Sequence, residues 1–227
     1  KNQIQELEET NLKLRNDFLE KEKAILEIEI YQQSEKLIEE ENMEITISAV
    51  ILAGGLARRM GGADKGLQLW RGQPLFMHVY RRLASQTRFI SINANRNQEK
   101  YAESGLPVFS DDAPDFQGPL SGILTALKRS ETDFVLFVPC DCPLLPLDLL
   151  EKLKSAVEKN DVLIAYAHDG EREHPTCCLI SPKISTALAA YLAQGERRML
   201  QFMRQQHAIA VDFSEQKSAF RNMNSLE

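Results

Sequence analysis

The chain has 227 residues, of which 43% are hydrophobic and 26% are charged, and its formal net charge is −6. This composition predicts a globular protein with one sizeable core and an accessory element, and we expect no nucleic-acid partner. No apolar run reaches 18 residues and the chain does not open on a basic-then-apolar signal, so we predict neither a membrane span nor a secretory leader, and a cytoplasmic location.

Residues 1–42 differ in composition from the rest of the chain. They contain no Gly or Pro, and they carry six of the 27 basic and twelve of the 33 acidic residues, so the entire net charge lies in this arm. A helix of this length would extend roughly 60 Å. Its apolar residues recur at alternating three- and four-residue steps, interrupted by Asn11 and Lys21: Ile4, Leu7, Leu14, Phe18, Ile25 and Ile28. This spacing predicts a coiled coil that self-associates, because a seam Asn fixes register between two helices; a solvated single helix is the alternative.

A glycine-rich stretch follows the first predicted strand. The apolar run 45–52 favours a buried strand, and it ends at Gly54-Gly55, where the backbone can turn sharply and approach a ligand. Backbone N–H groups of such a turn bind phosphate oxygens, and Arg59 and Lys65 add positive charge. Neither GxxxxGK[ST] nor GxGxxG is present. From the glycine pair alone, a phosphate loop and an ordinary tight turn are equally good interpretations.

Strands and helices alternate from residue 43 onward. We predict helices over 74–84, 97–104, 118–129 and 182–193, with others opening near 146 and 195, and strands over 88–93, 106–109, 133–138, 162–167, 176–180 and 207–213. The fold class is therefore α/β: a Rossmann-like, mainly parallel sheet with helices on both faces, preceded by a long N-terminal coiled-coil helix. Ligands of such sheets bind at the carboxyl ends of the strands.

Asp141 directly follows the most apolar of these strands and is flanked by Pro139 and Pro143. This position places a carboxylate at the edge of the sheet where a nucleotide would bind. An anionic nucleotide and a carboxylate repel each other unless a cation lies between them, so Asp141 makes chemical sense as a Mg²⁺ ligand. An aspartate that caps the next helix is the alternative.

Asn93 and Asp111 end the second and third predicted strands. A carboxylate there can accept hydrogen bonds from the N1–H and the exocyclic amine of guanine, and an amide can support it. Ordinary turn residues are the more common interpretation of any single Asn or Asp.

Several of these segments together resemble one family. The string LAGGxxxRMGGxDKG, from Leu52 to Gly66, and the PCDxP segment around Asp141 resemble the nucleotide-binding loop and metal-binding segment of the molybdenum cofactor guanylyltransferases, the MobA family. The resemblance implies transfer of GMP from GTP to molybdopterin-bound molybdenum, with Mg²⁺ as cofactor. It implies catalytic roles for Lys65, Arg59 and Asp141, with Asp141 as the metal ligand. It also implies nucleotide contacts from Leu52, Ala53, Gly54, Gly55, Lys65, Asn93, Asp111 and Asp141.

Further segments resemble the part of the same family that surrounds its pterin substrate. HDGEREHPT and GERRM contain Arg172, His174, Arg197 and Arg198, which could hold an anionic pterin phosphate; a solvated charged loop explains them equally well. Asn222-Met-Asn224 resembles the family's NxN segment, which supplements the metal or phosphate site.

The domain boundary is predicted at residues 42 and 43, giving a coiled-coil arm over 1–42 and a nucleotidyltransferase domain over 43–227. Because Met43 stands where a chain of this family would begin, we expect the arm to be foreign to the domain and fused to it. Two other functions remain open. One is a cytidylyl- or sugar-phosphate nucleotidyltransferase, and the other is a coiled-coil interaction module that carries the globular part.

Overall fold

The computed structural model describes residues 2–53, 64–112 and 118–223. The chain forms two compact units, Lys1–Ile45 and Thr46–Glu227. The first consists mainly of one helix, α1 (Asn2–Met43), which confirms the long N-terminal helix predicted from the sequence. Among the helices of the described part, none is long and apolar enough to cross a membrane.

The second unit is built on one mixed sheet and a small hairpin. Its strands are β1 (Ile47–Leu52), β2 (Leu69–Trp70), β3 (Gln73–Pro74), β4 (Ile90–Asn93), β5 (Val108–Phe109), β6 (Phe134–Pro139), β7 (Ile164–His168), β8 (Glu173–Ile180) and β9 (Ile209–Asp212). The main sheet has the order β5-β4-β1-β6-β8-β7-β9, and β2 pairs with β3 in the hairpin. The neighbours β5, β4, β1 and β6 are all parallel. The mainly parallel α/β sheet predicted from the sequence is therefore confirmed.

Helices cover both faces of the main sheet. They are α2 (Leu75–Ala84), α3 (Gln98–Ala102), α4 (Pro119–Arg129), α5 (Leu149–Asn160), α6 (Ser185–Ala193) and α7 (Met199–Gln205). One face packs against α4, α6 and α7, where Val50 and Phe137 meet Ile123 and Phe202 in a shared apolar core. Neighbouring side chains of a strand point to opposite faces, so Ile51 faces the other layer, where α2 contacts β1 and α5 contacts β7. The β1 and β6 strands are thus buried on both sides, as their continuous apolar sequence predicts.

The second half differs from its predicted pattern. Residues 168–175 were expected to form a charged loop, but β8 begins at Glu173 and runs antiparallel between β6 and β7. The side chains of this early part alternate: Glu173 bonds Arg204, whereas His174 bonds Asp169. A polar strand of this kind lacks the apolar run that marked the other strands, and this is why the prediction was wrong at this point.

Candidate active site

The carboxyl ends of four parallel strands lie in one row. In the strand register, Leu52 of β1 is opposite both Asn93 of β4 and Pro139 of β6, and Asn93 is opposite Phe109 of β5. The backbone ladder continues past these ends, because Ala53 N–H donates to the Asn93 carbonyl at 2.8 Å. The half-buried Leu52 and Ala53 therefore lie beside the segments that carry the other predicted site residues.

Lys65 and Asp141 come together at this edge. Lys65 Nζ lies 3.2 Å from Asp141 Oδ2, and the two side chains are 33% and 10% exposed. Lys65 opens a short 3-10 helix (Lys65–Leu67), whereas Asp141 follows β6, so residues 76 positions apart in sequence form one ion pair. The sequence predicted both residues, and the structure brings them into direct contact.

A second polar pair lies on the β4 and β5 side of the row. Asn93, which is 3% exposed, donates from Nδ2 to Asp111 Oδ1 at 2.8 Å. The backbone N–H of Asp111 donates to Asn95 Oδ1, also at 2.8 Å. Gly122 of α4 lies so close that a Cβ there would overlap the Asn93 amide oxygen and come within 3.1 Å of Asp111 Oδ1. The N-terminal turns of α4 can therefore approach this pair only because residue 122 has no side chain.

The remaining predicted residues of the loop and the C-terminus are Gly54, Gly55, Arg59 and Asn224, and they lie outside the described residues. Asn222, the first residue of the NxN segment, is described. Its Oδ1 lies 2.9 Å from the Cys142 thiol, and the N–H of Met223 donates to the Asp141 carbonyl at 3.0 Å. The C-terminal segment thus runs directly past Asp141.

A cavity of about 800 Å³ lies on the side of Asn222. It has a mixed polar lining of Asp169, Glu171, Arg172, Glu173, His174, Lys217, Ser218, Phe220, Arg221 and Asn222. The His174 ring stacks on Phe220, with centroids 4.6 Å apart and an interplanar angle of 15°. This gives the cavity a flat aromatic element beside basic side chains, which suits a planar ligand that carries negative charge.

The four candidates for the pterin phosphate separate in the structure. Arg172 and His174 line the cavity next to Asn222. Arg198 lines a different cavity together with Met199 and Arg204. Arg197 donates from Nη1 to the carbonyls of Leu192 and Glu196, near the end of α6, and so closes the helix terminus.

Asp169 fixes the turn at the mouth of the first cavity. Its Oδ1 accepts hydrogen bonds from the backbone N–H groups of Glu171 and Arg172 at 2.9 and 2.7 Å, and its Oδ2 lies 2.8 Å from His174 Nε2. Burial raises the pKa of this carboxyl, but the hydrogen bonds from His174 and the backbone outweigh burial and hold the pKa well below its usual range. Asp169 therefore stays charged and orients His174.

Sequence reasoning missed Asp64 and its partners. Asp64 accepts hydrogen bonds from Tyr101 at 2.5 Å and from Asn97 at 3.1 Å, directly before Lys65 in the chain. Neither partner is close in sequence, and no periodic pattern links them. The adjacency of Asp64 and Lys65 in the DKG string was the one available signal.

Comparison with known proteins identifies the fold and its relatives. A model of the MobA-like NTP transferase domain matches residues 49–209. The molybdenum cofactor guanylyltransferase of Pasteurella multocida (strain Pm70) is 68% identical over 184 residues, which cover 81% of this chain and 97% of that protein. The enzyme of the same description from Mannheimia succiniciproducens has the same identity and coverage. The crystal structure of molybdopterin-guanine dinucleotide biosynthesis protein A from Archaeoglobus fulgidus superposes with a TM-score of 0.65 at 19% identity, covering 79% of this chain and 93% of that one.

The Asp169 turn generates a prediction about pH. Substitution Asp169→Asn should lower the free energy of unfolding at pH 7 by about 1–3 kcal/mol, because two backbone donors and His174 lose a charged acceptor. Since the folded-state pKa is lowered, this stabilisation is complete above the ordinary aspartate pKa of about 3.9 and is lost as the pH falls below it. Urea unfolding of both proteins from pH 7 to pH 3 should show the difference shrinking below about pH 4.

The matched control is Glu171→Gln in the same turn. It makes the same charge change at a side chain that is 67% exposed and contacts Lys217. Its effect should stay below about 0.5 kcal/mol. Equal effects of the two substitutions would contradict the role assigned to Asp169.

Proposed function

The chain belongs to the MobA-like family of molybdenum cofactor guanylyltransferases, and from this premise we propose how its active site works. It is a nucleotidyltransferase, and we propose that it transfers GMP from GTP to the terminal phosphate of molybdopterin, which carries the molybdenum. The new bond joins an oxygen of that phosphate to the α-phosphorus of GTP. The bond that breaks joins the α-phosphorus to the bridging oxygen of the leaving pyrophosphate. The Lys65–Asp141 contact at the strand ends is the observation that carries this proposal.

The chain's own residues act mainly by alignment and charge. A terminal phosphate is already an anion at neutral pH, so the attack requires no strong general base. Lys65 neutralises charge that develops on the pyrophosphate, and the row of strand ends aligns the two substrates. From the sequence we assign Arg59 to the β and γ phosphates of GTP, and Gly54 and Gly55 keep their predicted role as backbone donors to phosphate oxygens.

The chemistry of Asp141 fits a Mg²⁺ ion. Its carboxylate is a hard oxygen donor, and Mg²⁺ is commonly held by one or two carboxylates together with substrate phosphates. In the described ranges no three His, Cys, Asp or Glu side chains group to hold a metal by themselves, so the nucleotide phosphates would supply the other ligands. When bound there, the ion supplies positive charge to the phosphate oxygens.

We assign guanine recognition to the Asn93–Asp111 pair. Asn93 occupies one side of the Asp111 carboxylate at 2.8 Å, which orients this group while leaving acceptor capacity for the N1–H and amine of guanine. Adenine and cytosine present different edges, so the same pair discriminates against ATP and CTP. This separates guanylyl transfer from the cytidylyl alternative.

The cavity beside Asn222 is our candidate site for the pterin acceptor. The stacked His174 and Phe220 rings offer a flat apolar surface, and Arg172 and Arg221 offer positive charge. The hydrogen bonds of Asn222 with Cys142 and of Met223 with Asp141 connect the wall of this cavity to the Asp141 segment, which supports the assignment. An acceptor held there can direct its phosphate toward the α-phosphorus.

The N-terminal helix α1 bears on the oligomeric state of the protein. We propose that α1 pairs with α1 of a second copy through its heptad seam. Six apolar seam residues, from Ile4 to Ile28, are 57–65% exposed, and a helix with such a seam buries it most simply against an identical helix. The foreign origin of this arm and a cytoplasmic location stay predictions from the sequence.

Nucleotide preference tests the guanine assignment. Calorimetry with Mg²⁺ should show GTP binding at least tenfold tighter than CTP or ATP. Substitution Asp111→Asn should weaken GTP binding about 10- to 100-fold, because one of the two acceptor oxygens becomes an NH2 donor and the negative charge is lost. Asp112→Asn is the matched control, since Asp112 is 51% exposed and pairs with Arg129. A wild-type protein that binds CTP or ATP as tightly as GTP would rule out guanylyl transfer.

Turnover tests the role of Asp141. Asp141→Asn should lower kcat, measured as pyrophosphate release, by at least 100-fold without unfolding the protein, because an amide is a weak Mg²⁺ ligand. Asp161→Asn is the control: Asp161 ends α5 in a left-handed conformation that Asn tolerates, and kcat should stay within about twofold. Near-normal turnover of Asp141→Asn would exclude the metal role.

Sedimentation of the full chain tests the arm. The full chain should sediment as a dimer or larger species, and Leu14→Lys should weaken association at least tenfold by placing a charge on the seam. Asn16→Lys adds the same charge on the opposite side of the helix and should leave association unchanged. A monomeric full chain at micromolar concentration would contradict the proposal.

A further inference from the structure

Asp64 stands out because both of its carboxylate oxygens have defined donors. Tyr101 donates its hydroxyl hydrogen to Oδ1 at 2.5 Å, and Asn97 Nδ2 donates to Oδ2 at 3.1 Å. Both donors belong to the segment that opens α3, where Asn97 adopts a left-handed conformation with φ of 51°. The carboxylate is therefore anchored to a separate structural element.

Tyr101 is a rigid donor. Its side chain is fully buried, and its ring packs edge-on against Phe76 with centroids 4.9 Å apart. Burial raises the pKa of the Tyr101 hydroxyl, and the nearby Cys140 and the hydrogen bond to Asp64 raise it further. The hydroxyl thus keeps its proton and continues to donate across the pH range in which the protein is folded.

Gly66, the residue after Lys65, is also closely packed. A Cβ at this position would overlap the Tyr101 hydroxyl and come within 3.1 Å of Cys140 Sγ. The backbone of Gly66 therefore packs closely against both Tyr101 and Cys140, the residue before Asp141. Asp64 and Gly66 immobilise the chain on both sides of Lys65, whose Nζ reaches Asp141 at 3.2 Å.

We propose that Asp64 and Tyr101 are positioning residues for the transfer reaction. Their hydrogen bond fixes the corner formed by Asp64, Lys65 and Gly66 against the carboxyl end of β6, and so holds the Lys65 ammonium group beside Asp141. This inference rests on the proposed function for its effect on catalysis. Its structural part, the control of the Lys65 position, stands independently of that function.

The first test needs no activity. A crystal structure of Tyr101→Phe, which deletes the hydroxyl and keeps the ring, should show the Lys65–Asp141 contact lengthened beyond 4 Å or the Lys65 side chain disordered. An unchanged contact near 3.2 Å would overturn the positioning role, whatever the enzyme does with GTP.

The second test measures coupling in catalysis. Tyr101→Phe should lower kcat about 10- to 100-fold with KM for GTP within about twofold, because displaced charge stabilises the leaving group poorly. In a Lys65→Ala background the same substitution should have no further effect on kcat. A merely structural defect would instead lower kcat by the same factor in both backgrounds, and this result would overturn the inference.

Tyr191→Phe is the matched control. It removes a hydroxyl from another buried tyrosine, which donates to the Arg198 carbonyl at 2.9 Å. Its kcat should stay within about twofold of the wild type. If Lys65→Ala itself turns over GTP normally, the proposed catalytic role of Lys65 fails, while the crystallographic contact still decides whether Tyr101 positions Lys65.

Discussion

The parallel register of β4, β1 and β6 is the constraint on which the geometry of the candidate site depends. Leu52 is paired with Asn93 on one side and with Pro139 on the other, so the residues that follow each strand emerge at the same level. A slip of one residue in either pairing would turn every side chain of that strand to the opposite face. For β4, the Asn93 side chain would then point away from Gly122 of α4, against which the Asn93–Asp111 pair packs. The apolar core on both faces prevents such a slip, and in this way core packing determines the geometry of the polar edge.

Two glycines allow neighbouring elements to pack closely at this edge of the sheet. Gly122 allows α4 to approach Asn93 and Asp111, and Gly66 allows the segment around Lys65 to approach Tyr101 and Cys140. In each case the space that a side chain would fill is occupied by a polar group of the candidate site. The Asn93–Asp111 pair and the Asp64–Tyr101 pair are thus both packed against a backbone position that lacks a side chain.

The sequence predicted the parallel half of the fold well because its strands are continuous apolar runs and its helices are amphipathic. Lys65 and Asp141 became candidates because they lie in segments that resemble family motifs, and Asn93 and Asp111 because they end predicted strands. The strand predicted over 176–180 is the apolar part of β8, and the prediction missed its first residues, from Glu173, because they are polar and paired with other elements. The sequence indicates the β2–β3 hairpin only weakly. Its turn residues Arg71 and Gly72 both have positive φ, at 50° and 78°, and of the two only glycine is a residue type that predicts this conformation. The Asp64–Tyr101 bond spans 37 positions and follows no period, so only the folded structure reveals it.

The surroundings of Asp141 strengthen the electrostatic interactions of its carboxylate. Its neighbours Cys140 and Cys142 are buried thiols. Burial is the main cause that raises the pKa of both, so they stay neutral at physiological pH. The Asp141 side chain is itself only 10% exposed and its neighbours in the chain are uncharged, so its electrostatic interactions are stronger than those of a carboxylate surrounded by water. Lys65 supplies a positive charge 3.2 Å from Asp141 Oδ2. The Asp141 carboxylate therefore interacts with a nearby cationic group more strongly than an exposed carboxylate does.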